Sequence, residues 1–229
     1  MNNGILEIIE KYIKGILDDK YHRFSSWDNC FEVFSNSKKA EFKVLELAFY
    51  LASWGMYRGS SGLLQKNHFI HQGAVDILFS KTNQALKCNQ TNEVIRENIK
   101  SILALKDELS AHYSNIYFTR GAEDPKPISP TDTLLSKIML GTLGCVPAYD
   151  QYFIKGLKEM KMKHFGFNEL SLTELFNFID DNIKEIEQSQ NLIKARMEKH
   201  YPLMKILDMY FWQIGYDKEI MEKNKENEN

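Results

Sequence analysis

Residues Thr131 to Phe153 read TDTLLSKIMLGTLGCVPAYDQYF, and the order of residue types in this run decides the class of fold. Thr131 and Asp132 are helix-capping residues ahead of an apolar stretch, so a helix is predicted from about Thr131 to Leu140. Gly141 and Gly144 then allow a tight exit, through positive φ or close backbone approach. Pro147 fixes the chain just before a second helix, predicted from about Ala148 to Met162. Asp150 falls in the first turn of that helix, held on rigid backbone. An aspartate there serves either as a dipole partner and cap or as a functional carboxylate, and both readings stand at this point.

Outward from this run the chain is helical by pattern. Towards the N-terminus, Ile5, Ile8, Ile9, Tyr12, Ile13 and Ile16 recur at three- and four-residue intervals, predicting an amphipathic helix that ends near Asp18. A short helix is predicted over Trp27 to Phe34, capped by Ser25 or Ser26. A longer one is predicted from Lys38 to Tyr57, with Leu45, Ala48, Phe49 and Ala52 inward. After the break at Gly59 to Gly62 come helices at about 71 to 80 and from Thr91 to about Tyr113. Towards the C-terminus, a long helix follows Ser171, and a last one opens at Pro202 and stops at Gly215. The tail from about 219 to 229 is expected to fray. No alternation persists long enough to seed a sheet. The expected fold is all-α, a single domain over 1–229. It is divided by the proline-rich loop 119–130 into lobes 1–118 and 131–215, closely packed with a cleft between them.

Composition agrees and narrows the function. The 229 residues are 43% hydrophobic and 26% charged, with 12 Gly and 5 Pro, which suits a packed core and leaves little material for long linkers. A formal net charge of -2 means that any nucleic-acid contact depends on a local basic patch. Cys30, Cys88 and Cys145 are odd in number and unpatterned, which fits a reducing, cytoplasmic setting and offers no CxxC site. Neither a signal peptide nor an apolar run of membrane-spanning length is read, so no membrane association is expected. The six histidines form no HExxH pair or other close constellation, so no metal is expected. Cys145 has no histidine near it in sequence to activate it as a nucleophile.

Tyr50 to Lys66, YLASWGMYRGSSGLLQK, is the best candidate for a binding wall. Trp54 and Tyr57 are suited to stacking, Arg58 to a phosphate or base edge, and Ser60, Ser61 and Gln65 to polar groups. Tyr149 and Tyr152 beside Asp150 complete the substrate-binding set. Lys155, Lys158, Lys161, Lys163 and His164 form a local basic stretch, though lysines on a helix usually mark a solvated face. Asp208, among Tyr210, Phe211 and Trp212, reads as an exposed helix position in preference to a pocket acid or a partner of Arg58.

The run TLLSKIMLGTLGCVPAYDQYF resembles the helix, loop and aspartate segment of the helix-hairpin-helix DNA glycosylase superfamily, with Pro147 and Asp150 on its Pro-x-x-Asp step. The resemblance covers about a tenth of the chain. It implies a glycosylase-like fold and double-stranded DNA with a flipped base as partner. Asp150 would be the catalytic carboxylate, and the protein would work as a monomer without a cofactor. Where a member has a glycine-rich hairpin this chain reads KPISPTDTLL. Phosphate contacts are therefore expected from Lys126, Ser129 and Thr131 at the helix start, joined by Lys137 and Lys155. Bifunctional members carry a Schiff-base lysine near the position of Thr131, so the resemblance implies a monofunctional enzyme acting on a modified or damaged base in repair or antiphage defence. The alternatives are a non-enzymatic helical module, binding nucleotides or proteins in a defence or toxin system, and an enzyme acting on a small nucleoside.

Overall fold

The computed structural model describes residues 4–36, 39–58 and 61–227. Among them are ten α-helices: Ile5–Asp18 (α1), Ser25–Asn36 (α2), Ala40–Ser53 (α3), Gln72–Leu78 (α4), Lys81–Gln84 (α5), Ile99–Ser114 (α6), Asp132–Thr142 (α7), Gln151–Glu159 (α8), Glu169–Met197 (α9) and Leu203–Asn227 (α10). Strands Tyr117–Phe118 (β1) and Lys126–Pro127 (β2) pair antiparallel in a two-residue ladder. The fold is all-α. Among the described residues no helix is long and apolar enough to cross a membrane.

The core is organised around α7. Every residue from Leu134 to Thr142 is buried, and so is every residue of the exit through Asp150, so α7 beyond its first two residues has no solvent-exposed face. A buried exit must still satisfy its backbone polar groups. Trp27 Nε1 donates to Leu140 O at 3.0 Å, and Lys87 Nζ donates to Thr142 O at 2.6 Å, meeting the open carbonyls of the helix end. Cys88 N donates to Leu143 O at 2.9 Å. Gly144 adopts φ +70, and a Cβ there would stand 2.8 Å from Pro202. Gly141 remains helical but faces the Tyr50 ring, which a Cβ would meet at 2.4 Å.

Several boundaries differ from the sequence reading, for identifiable reasons. In α3 the inward residues are Val44, Leu47, Ala48 and Leu51, whereas Leu45 and Phe49 are 51% and 59% exposed and Ala52 faces out. This helix is apolar on two faces, so periodicity alone does not choose between them. Lys38, where that helix was expected to begin, lies outside the described residues. Ser25 is the first residue of α2 and not its cap. The helix expected from Thr91 begins as α6 only at Ile99, after an Asn89–Asn92 bridge and a short turn at Arg96–Asn98.

The largest difference is α10, which passes through Gly215 and continues to Asn227 in place of a frayed tail. Gly215 is a crossing point: a Cβ there would lie 1.9 Å from Tyr152 O in α8. Reciprocally, a Cβ on Gly156 in α8 would lie 1.8 Å from Phe211 O in α10. The two helices touch backbone to backbone, which only glycine permits. Beyond the crossing, Glu219 and Glu222 pair with Lys155, Glu219 at 2.6 Å.

Candidate active site

Asp150 is the N-cap of α8, which runs from Gln151 to Glu159 where the sequence reading had a helix from about Ala148 to Met162 with Asp150 in its first turn. Its Oδ1 accepts from Tyr152 N and Phe153 N, each at 3.1 Å. Aspartate is among the best residues for that position because its carboxylate satisfies free amides and meets the positive end of the helix. Its Oδ2 accepts from Lys137 Nζ at 2.8 Å. The backbone before it is held as well: Tyr149 N donates to Ser136 Oγ at 2.8 Å and Ala148 N donates to Asp208 Oδ1 at 3.0 Å. Thr133 Oγ1 adds a bond to Tyr149 O at 2.8 Å.

These contacts correct two expectations. Lys137 was assigned to the DNA backbone, but it is 2% exposed, because it lies in the stretch of α7 from Leu134 to Thr142 that is buried throughout. Its ammonium is committed to Asp150 and lies 4.7 Å from the centroid of the Trp54 ring. Asp208 was read as exposed, but it is buried and pairs with Lys205 at 2.9 Å, not with Arg58. Asp208 therefore positions the loop that carries Asp150.

A cavity of about 470 Å³ opens onto this pair, with Arg23, Trp54, Arg58, Tyr152 and Trp212 in its walls. The volume is within the range of about 300–1,000 Å³ typical of small-ligand sites. Trp54 stacks on Phe24 with ring centroids 5.5 Å apart and stands edge-on to Trp212 at 5.9 Å. The Arg23 guanidinium lies 5.0 Å from the Trp54 ring centroid. Tyr152 contacts Trp212 edge-on at 5.3 Å. The indole N–H groups of both Trp54 and Trp212 are shielded from solvent and have no hydrogen-bond partner.

A second groove, of about 280 Å³, shares Met56 and Arg58 with the first and includes Ser61, Lys126, Ser129 and Thr131. Thr131 caps α7 by accepting from Leu134 N at 3.2 Å, and Lys126 pairs with the exposed Glu123 at 2.9 Å. Arg58 thus joins the two concavities, and among the described residues no ion pair is found for its guanidinium.

The sequence-predicted residues divide accordingly. Trp54, Arg58, Asp150 and Tyr152 line the cavity, and Ser61, Lys126, Ser129 and Thr131 line the groove. Tyr57 does neither, because its hydroxyl is engaged by His71 Nε2 at 2.7 Å. Tyr149 points into the core, stacked on Phe167 with its hydroxyl 2.9 Å from Ser171 Oγ. Gln65 is exposed on the short turn Gly62–Gln65, outside both concavities. Lys155 is neutralised by Glu219 and Glu222 and is not free for phosphate. Ser60 lies outside the described residues.

Arg23 and Trp212 were missed as site residues, since each sits far in sequence from the predicted wall. Their aromatic settings, HRFSSW and MYFW, are the only trace they leave. Cys145 is fully buried and its thiol is pushed up to about 12 by burial, which withdraws it from nucleophilic chemistry. Among the described residues no group of three or more His, Cys, Asp or Glu side chains could hold a metal ion. No family model, curated protein or solved structure matches the chain.

Proposed function

We propose that this chain is a monofunctional DNA glycosylase that hydrolyses the N-glycosidic bond of a flipped, modified or damaged base. The observation that carries the reading is convergence: Asp150, from the exit of α7, and Trp54 with Arg58, from the end of α3, line one cavity. A groove bearing Lys126, Ser129 and Thr131 meets it at Arg58. A flipped nucleotide needs that combination, a pocket for the base beside a polar track for the flanking phosphates.

In this mechanism the C1′–N bond breaks with its electron pair leaving on the base, and positive charge grows on the deoxyribose. The Asp150 carboxylate, fixed by two amides and one ammonium, stabilises that charge without reorganising. Water adds to C1′, its released proton is taken up by the departing base, and an abasic site is left. Lys137 acts as the cation that holds Asp150 in place. An ammonium hydrogen-bonded to a carboxylate has no lone pair to offer C1′, so water is the nucleophile. The proposed protein works in the cytoplasm as a monomer on double-stranded DNA, in repair or antiphage defence, and its three unpaired thiols suit a reducing compartment.

The test is to incubate wild type and Asp150→Asn with duplexes containing normal and modified bases, then to reveal abasic sites by alkaline cleavage. Wild type is expected to release a base and Asp150→Asn to lose the activity. Equal product from both removes Asp150 from the chemistry. No release across a broad panel favours a non-enzymatic nucleotide- or protein-binding module. That second reading draws on the full set of structural partners around Asp150.

A further inference from the structure

The cavity has a charge and hydrogen-bonding character of its own. Its walls hold three cationic groups, Arg23, Arg58 and Lys137, against the single carboxylate of Asp150. Lys137 already neutralises Asp150, so the guanidiniums of Arg23 and Arg58 are left in excess. The rings of Trp54 and Trp212 supply apolar wall, while their indole N–H groups are shielded from any molecule in the cavity as they are from solvent. The side chains of Thr133 and Gln151 add polar groups to the same wall, but no second carboxylate does.

From this we infer that the cavity selects an uncharged base rich in hydrogen-bond acceptors, carrying carbonyl or hydroxyl oxygens on the edge it presents, and rejects cationic alkylated bases. The inference rests on the glycosylase reading for its setting in DNA, but it concerns what the pocket binds. A cationic base would meet two guanidiniums in excess of the cavity's one carboxylate, which is a repulsive element as well as a missing attractive one. An oxygen-substituted pyrimidine would bring acceptors to the guanidiniums of Arg23 and Arg58.

The experiment measures binding apart from catalysis. Trp54 and Trp212 line the cavity, and Trp27, the third tryptophan, is buried with its N–H bonded to Leu140 O. Quenching of tryptophan fluorescence therefore reports the pocket. The probes are 5-hydroxydeoxyuridine, deoxyuridine and 1-methyldeoxyadenosine, the last a cation at neutral pH. The two uracil nucleosides are expected to bind at least about tenfold more tightly than the cation, the factor that one hydrogen bond to a charged group supplies. Arg23→Gln and Arg58→Gln, each on an exposed side chain outside the core, are each expected to reduce that preference.

Equal or tighter binding of 1-methyldeoxyadenosine overturns the inference, as does failure of all three probes to bind. An unchanged preference in both variants also overturns it. Base release from the matching duplexes is scored separately. Preference for the uracil nucleosides with no base release from any duplex supports the inference and defeats the glycosylase reading. Release confined to a duplex carrying 1-methyladenine supports glycosylase action and defeats the inference.

Discussion

Lys137 Nζ and Asp150 Oδ2 stand 2.8 Å apart with both side chains withdrawn from water, and they come from the two sides of one buried turn. Removing one member of such a pair leaves the other as an uncompensated buried charge. Lys137→Met is therefore expected to destabilise the fold by about 3–5 kcal/mol, and Lys137→Met with Asp150→Asn to recover much of the loss. Urea unfolding of the two single variants and the double variant checks this. A single variant as stable as wild type would show that the pair is not formed in solution.

The same pair predicts the chemistry of the product. With Lys137 held as an ammonium, wild type is expected to leave intact strands that break only on alkali treatment, and borohydride should trap no covalent protein–DNA adduct. Asp150→Asn is expected to lower base release by about 10²–10³-fold, as does loss of other preorganised charge-stabilising groups. Strand breaks without alkali, or a trapped adduct lost in Lys137→Met, would replace water with Lys137 as the nucleophile.

Duplex binding separates the cationic residues that the sequence grouped together. Arg58→Ala is expected to weaken binding and to reduce the slope of log affinity against log salt by about 1. Lys155→Ala is expected to change neither, because that ammonium is already paired with Glu219 and Glu222. Fluorescence anisotropy at several salt concentrations reads both effects, and an equal loss in the two variants would contradict the assignment.

The crossing of α8 and α10 admits no side chain. Gly215→Ala and Gly156→Ala each force a methyl to within 1.9 Å and 1.8 Å of a backbone carbonyl, which cannot rotate away. Each is expected to destabilise by about 3 kcal/mol or more, at the upper end of overpacking effects. The double variant should lose less than the sum, since one separation of the helices relieves both clashes. Thermal denaturation of the three proteins decides it.

Stability below neutral pH should carry the signature of His71. Its ring is buried between the hydroxyls of Tyr57 and Tyr113, at 2.7 and 2.6 Å, and burial pushes its value down to about 3, with the charges of His112 and His68 adding to the effect. The unfolded chain binds a proton near pH 6.5 and the folded one does not. The stabilisation is complete above about pH 6.5 and is lost as pH falls towards 3, by at most about 1.4 kcal/mol per unit. Carboxylates titrating in the same window affect wild type and His71→Leu alike. The difference in unfolding free energy between the two should therefore shrink from pH 7 to pH 4, and a constant difference would refute the assignment.

The sequence was most legible where one face of an element is buried and the other is wet. The isoleucine stripe of α1 is buried as its spacing predicted, and Thr131 caps α7 as its residue type predicted. Legibility failed where no such contrast exists. In α3 two apolar faces compete, and the buried one is chosen by α2 and α7, which periodicity does not register. Gly215 looks like a helix stop until Tyr152 is seen against it. The candidate site was legible in its local part, Asp150 behind Pro147, and in Trp54 and Arg58. Arg23, Trp212 and the role of Lys137 were not, because the cavity joins separate segments of the chain, around residues 23, 54, 150 and 212, and turns the Lys137 side chain onto Asp150. Tyr57 and Tyr149 carry the right chemistry for a pocket wall, yet their hydroxyls face His71 and Ser171, a matter of orientation that residue type does not encode.

The glycine contact between α8 and α10 also sets an order of events during synthesis. Asp150 caps α8, and α8 gains its closest neighbour only when Gly215 docks against Tyr152. Asp208, which fixes the backbone at Ala148, comes from the same late segment. A chain still emerging from the ribosome lacks these contacts and cannot set the carboxylate in its final place. The candidate centre is consequently among the last parts of the molecule to mature, after the non-local contacts of α10 have closed.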